Sequence, residues 1–109
     1  MKIDIKKLCC ELGIGYKEVS FGLTKLGYYG NMCIIAYENY TQDSNNEYIK
    51  YLNNVELSYS GFPIFCNVER IYNDDYNYRA LKNELTSAIF KYKQMMTEYK
   101  KKTINRDFE

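Results

Sequence analysis

Ile5-Lys6-Lys7-Leu8-Cys9-Cys10-Glu11-Leu12-Gly13-Ile14-Gly15-Tyr16-Lys17-Glu18-Val19-Ser20-Phe21-Gly22-Leu23-Thr24-Lys25-Leu26 reads as two short helices joined by a tight, glycine-containing turn. Asp4 is placed to cap the first helix, its carboxylate accepting backbone N–H groups that have no partner in the first turn. Leu8, Cys9 and Leu12 recur three and four apart and form one apolar stripe, with Lys6, Lys7 and Glu11 left to solvent. Gly13 supplies the left-handed conformation that ends a helix without steric cost. Ile14 plugs the gap between the helices. The second helix is expected to start near Gly15 or Tyr16, to bury Val19, Leu23 and Leu26, and to stop at Gly27. The spacing therefore predicts a helix pair over residues 4–27.

The run Cys9-Cys10-Glu11-Leu12-Gly13-Ile14 resembles the small-x-x-Leu-Gly-Val/Ile core of the helix-turn-helix family. Val19-Ser20 followed by Leu23 is similar to the buried β-branched and leucine positions of that family's recognition helix. Carried across residue by residue, the resemblance implies that Gly15, Tyr16, Lys17, Ser20, Phe21 and Thr24 face the major groove of double-stranded DNA. Tyr16, Lys17, Ser20, Phe21 and Thr24 would then meet base edges, while Lys6, Lys7 and Lys25 would meet phosphates.

Downstream the pattern changes. Met32-Cys33-Ile34-Ile35-Ala36-Tyr37 is short, apolar and rich in β-branched and aromatic residues, as a buried strand is. The polar stretch 38–46 reads as a loop, and Ser44 or Asn45 as the cap of a short helix in which Tyr48, Ile49 and Leu52 cluster. Val55-Glu56-Leu57-Ser58-Tyr59-Ser60 alternates as a half-exposed strand does. Gly61-Phe62-Pro63 is expected to turn the chain into a second strand over 64–72, giving a small three-stranded antiparallel sheet.

Asn73, Asp74 or Asp75 is placed to cap a long helix from about Tyr76 to Lys101. Tyr78, Leu81, Leu85, Ala88, Tyr92, Met95 and Tyr99 alternate three and four apart along it, the seam of a coiled coil spanning about 33 Å. That length predicts a homodimer through this helix. The fold class expected is α+β in a single domain, residues 1–109. It comprises a helix-turn-helix-like unit over 4–27, a small sheet with a short helix over 31–72 and a dimerisation helix over 74–102.

Composition bounds the chemistry. The chain has 109 residues, fifteen Lys and Arg against fourteen Asp and Glu, and no histidine. No apolar run reaches bilayer length, and the start lacks a signal-peptide segment, so a cytoplasmic protein is expected. Scarce Arg and Pro beside abundant Lys, Asn, Ile and Tyr suggest an AT-rich genome, as in low-GC bacteria and their phages. Cys9, Cys10, Cys33 and Cys66 have no zinc spacing and no histidine to complete a site, so buried thiols are expected, with no metal and no cofactor. A nucleophilic cysteine lacks a histidine base, and Gly13-Ile14-Gly15 lacks the rest of a phosphate loop. An enzyme is not expected.

Charge is segregated: residues 31–75 hold seven acids against two bases, and residues 76–109 eight bases against four acids. Of thirteen tyrosines, Tyr28, Tyr29, Tyr37, Tyr40, Tyr48, Tyr51, Tyr72 and Tyr76 flank or lie in the acidic middle. Two functions are expected, the first implied by the helix-turn-helix resemblance and the second by the acidic, tyrosine-rich middle. The first is a small dimeric helix-turn-helix regulator that binds operator-like double-stranded DNA. The second is a phage-encoded inhibitor of a host nuclease or defence complex, of the anti-CRISPR kind. It would act by protein binding through Glu47, Tyr48, Tyr51, Glu56 and Glu69, because tyrosine among carboxylates offers large contact area with few rotors.

Overall fold

The computed structural model describes residues 3–39, 47–72 and 77–107, with side chains described as far as Thr103. Helix α1 (Ile5–Leu12) starts and ends as its residues dictate. Asp4 accepts a hydrogen bond from the Lys7 N–H at 3.1 Å, and Gly13 closes the helix at φ 69°. The second helix is absent. In its place β1 (Gly15–Val19) runs into a single 3-10 turn at Ser20–Gly22 and returns as β2 (Thr24–Tyr29). The expected helix pair is thus overturned. Tyr16, Val19, Phe21 and Thr24 are aromatic or β-branched, and Gly15, Gly22 and Gly27 weaken a helix, so the segment is a poor helix former locally. What completes the decision is non-local pairing. β2 is hydrogen-bonded on both sides, to β1 and to β3 (Met32–Glu38).

β4 (Tyr48–Leu57) absorbs the residues expected to form a short helix around Tyr48–Leu52, and β5 (Pro63–Tyr72) completes the sheet. The expected three-stranded sheet is corrected to one antiparallel five-stranded sheet in the order β1-β2-β3-β4-β5. Ser44, Asn45, Asn73, Asp74, Asp75 and Tyr76, invoked as caps or helix starts, lie outside the described residues. Asn77 Oδ1 accepts from the Arg79 N–H at 2.8 Å at the start of α2 (Tyr78–Asp107).

The register fixes which side chains share a face. Tyr16, Gly27, Ile35, Tyr51 and Glu69 form one lateral row across all five strands. A Cβ at Gly27 would point at Cys9 of α1, and the Tyr51 hydroxyl donates to Glu84 of α2 at 2.6 Å. Both helices therefore cover this face, and Lys82 of α2 meets Glu11 of α1 at 2.6 Å between them. The core lies here. It joins Ile5, Leu8 and Cys9 to Ile35, Ile49, Val55 and Phe65, and to Leu81, Leu85, Ala88 and Ile89. Phe65 stacks on Tyr92 with centroids 4.8 Å apart, and Tyr29 meets both rings edge-on. Farther along α2, Tyr99 meets Phe62 of the β4–β5 turn edge-on at 5.2 Å.

The apolar stripe of α2 thus meets the chain's own sheet. Leu81 and Leu85 are completely buried, Ala88 and Tyr92 nearly so, while Tyr78, Met95 and Tyr99 are half-buried. Among the described residues no helix is long and apolar enough to cross a membrane.

Candidate functional site

The opposite face of the sheet is covered by neither helix. One row across it is Lys17, Leu26, Ala36, Lys50 and Arg70; the next is Val19, Thr24, Glu38, Tyr48 and Tyr72. Alternation within each strand sends these side chains away from the core. The two rows differ in character. In the second, Glu38 is buried and held by the Tyr48 hydroxyl and by Lys50 at 3.5 Å, and the Tyr48 and Tyr72 rings lie 5.9 Å apart. In the first, three cations flank two apolar residues, and Lys50 stands directly opposite Arg70. Like charges in register repel.

Below that row the sheet opens. Registered pairing between β3 and β4 ends at Ile35 and Tyr51, although both strands continue beyond it. A cavity of about 190 Å³ occupies this fork, lined by Cys33, Ala36, Leu52 and Val68 with Lys50 and Arg70 at its rim. Its lining is mainly apolar, and Val68 is half exposed (51%).

The second notable feature is the β1–β2 tip. Ser20, Phe21 and Gly22 have φ of 55°, 57° and 86°, three successive left-handed residues of which only one is glycine. Ordinary side chains avoid this region, at a cost of about 1–2 kcal/mol per residue. The Phe21 ring is nevertheless fully exposed (108%) and gains no burial in return. Two backbone hydrogen bonds hold the tip, from the Leu23 N–H to the Ser20 carbonyl and from the Asn39 N–H to the Leu23 carbonyl.

The residues expected to contact DNA do not form one surface. Lys17 and Thr24 point to the uncovered face, and Thr24 is only 6% exposed; Tyr16 and Lys25 point to the helix-covered side, Lys25 over the Tyr37 ring. Ser20 and Phe21 are at the tip, and Lys6 and Lys7 are on α1, Lys7 between Glu11 and the Tyr78 ring. The acidic-tyrosine set is likewise dispersed. Glu47 is buried and accepts from the Tyr37 hydroxyl, Tyr51 is in the core, and Tyr48 is half-buried beside Glu38. Glu56 and Glu69 are exposed on β4 and β5.

The residues that do gather, Ala36, Lys50, Leu52, Val68 and Arg70, were not singled out from the sequence. A strand over 64–72 was expected, but reading 48–52 as helical hid the strand that sets Lys50 beside Arg70.

The thiols are unpaired. Burial first, then nearby Cys33, pushes the Cys9 thiol up to about 11. Burial, reinforced by the Glu11 carboxylate, raises the Tyr78 hydroxyl to about 12, and Lys82 holds Glu11 below its usual range. Tyr16 is raised by burial and by Glu18, to which its hydroxyl donates at 2.5 Å. These shifts favour the neutral thiol and phenols and leave no activated nucleophile among them. Comparisons with protein-family models, with curated proteins and with solved structures returned no match to this chain.

Proposed function

We propose that this chain is a protein-binding module rather than an enzyme, and that Phe21 at the β1–β2 tip is its anchor in an apolar pocket of the partner. One observation carries this reading: a bulky aromatic is held in a left-handed conformation with its ring entirely in solvent. Strain of this kind persists where a function uses it. Residues that dominate interface energetics sit in well-packed, desolvated pockets, which a bulky ring is suited to fill. The support from Asn39 and Ser20 prepares the tip before contact, which lowers the ordering cost of association.

The reading keeps the class of the second expectation, an inhibitor that occupies a surface of a larger host complex, and moves the contact from the acidic residues to the tip. A benzoylphenylalanine placed at position 21 should give a discrete protein adduct in host extract. The adduct should be suppressed by excess unmodified chain and not by the Phe21→Gly chain. Adducts to nucleic acid, or adducts that both competitors suppress equally, would overturn it.

A further inference from the structure

The fork between β3 and β4 has a separate use from the Phe21 tip. We propose that it binds a compact apolar carboxylate: an aromatic or branched hydrocarbon body in the cavity, with its carboxylate between Lys50 and Arg70. Four observations converge on this ligand class. The cavity, about 190 Å³, has room for one ring or branched side chain and is walled by Cys33, Ala36, Leu52 and Val68. Ala36 lines the cavity with a small side chain and is 3% exposed. Lys50 and Arg70 are registered neighbours, which places their Cβ atoms about 5 Å apart and both side chains along the cavity. The Arg70 side chain makes no hydrogen bond or ion pair among the described residues, and its planar fork matches a carboxylate in two-point contact.

An anion between the two cations removes their mutual repulsion. Lys50 already leans on Glu38 at 3.5 Å, so Arg70 provides the principal bond and Lys50 the second. Lys17 lies in the same row three strands away, about 14 Å, and adds long-range attraction. A single-stranded nucleic acid is disfavoured on this face. Glu38 places a negative charge at its middle, and the Tyr48 and Tyr72 rings face each other with the Tyr48 hydroxyl tied to Glu38.

The same chemistry is offered by a free acid and by the apolar C-terminal residue of a peptide, and the test separates them. Amide chemical shifts of the labelled full chain are followed during titration with four probes: phenylacetate, phenylacetamide, an acetylated tripeptide ending in phenylalanine with a free carboxylate, and a ten-nucleotide oligo-dT. Phenylacetate is expected to give saturable shifts around Ala36, Lys50, Val68 and Arg70, with phenylacetamide at least tenfold weaker. Tighter binding of the peptide than of phenylacetate assigns the site to a chain terminus, and the reverse assigns it to a free acid. Arg70→Gln should weaken the carboxylate roughly tenfold, the size of one charge-assisted hydrogen bond. Val68→Trp, at a half-exposed position, should fill the cavity and abolish binding with the spectrum otherwise unchanged. Equal binding of acid and amide, shifts mapping elsewhere, no saturable shift, or tighter binding of the oligonucleotide on this face would each overturn the proposal.

Discussion

A Cβ on Gly27 would stand 2.5 Å from Ile35 Cγ2 and 2.8 Å from Cys9 Sγ. No side chain fits there, because α1 packs directly onto the backbone of β2. Gly27→Ala is expected to cost about 1–3 kcal/mol in denaturant unfolding, the usual penalty for overpacking. Combined with Cys9→Ala the loss should be smaller than the sum of the two single losses, since the thiol is one of the two atoms displaced. Phe21 presents the opposite case. Its backbone is strained and its ring touches solvent, so Phe21→Gly should raise stability by about 1 kcal/mol while removing the interface anchor. A variant that folds better and binds worse separates a functional residue from a structural one.

At the scale of the element, α2 has two parts with different duties. From Leu81 to Tyr92 it is one wall of the core, and its glutamate at position 84 ties it to Tyr51 of β4. Leu85→Ala should therefore cost about 2–5 kcal/mol, as a methyl-lined cavity opens where packing cannot collapse. From Lys100 to Thr103 its side chains are exposed, and the aromatic contact of Tyr99 with Phe62 lies just before them. A chain ended after Lys102 should keep its unfolding free energy within about 0.5 kcal/mol. A larger loss would mean that the distal turns pack against something else.

For the whole molecule, the burial of Leu81, Leu85, Ala88 and Tyr92 within one chain leaves no free leucine seam for a partner helix. Sedimentation at micromolar concentration should return the mass of a single 13.0 kDa chain. A stable dimer that is lost on Leu85→Ala would require α2 to lie on a neighbour's sheet. Alkaline stability follows from the buried thiol and phenols. Cys9 rises from 9.0 to about 11 and Tyr78 from 10.0 to about 12 on folding, so the folded state holds these protons more tightly than the unfolded chain. Their contribution is complete below pH 9 and is lost as the pH climbs through 11 to 12. For Cys9 it is on the order of 3 kcal/mol. The melting temperature should be level up to pH 9 and fall above it, and Cys9→Ala should make the fall shallower.

The pieces whose physics is local follow from neighbouring residues alone. Asp4 and Gly13 bound α1 because a carboxylate before a helix and a left-handed glycine after it satisfy backbone groups within a few residues. The apolar run beginning at Met32 and the segment following the Gly61-Phe62-Pro63 turn are strands, and the three-and-four spacing from Tyr78 to Tyr99 is a helix.

The stretch 15–29 was not decidable in this way. Val19, Leu23 and Leu26 carry a helical spacing, while the β-branched, aromatic and glycine content around them favours strands. The outcome depended on hydrogen-bonding partners as distant as Glu38. Tertiary structure also decided what the α2 stripe covers, since a helix face records that it must be buried and not against what. The cationic row obeys the same logic. Lys17, Leu26, Ala36, Lys50 and Arg70 become neighbours only through strand register, and a slip of one residue would have sent each of them into the core.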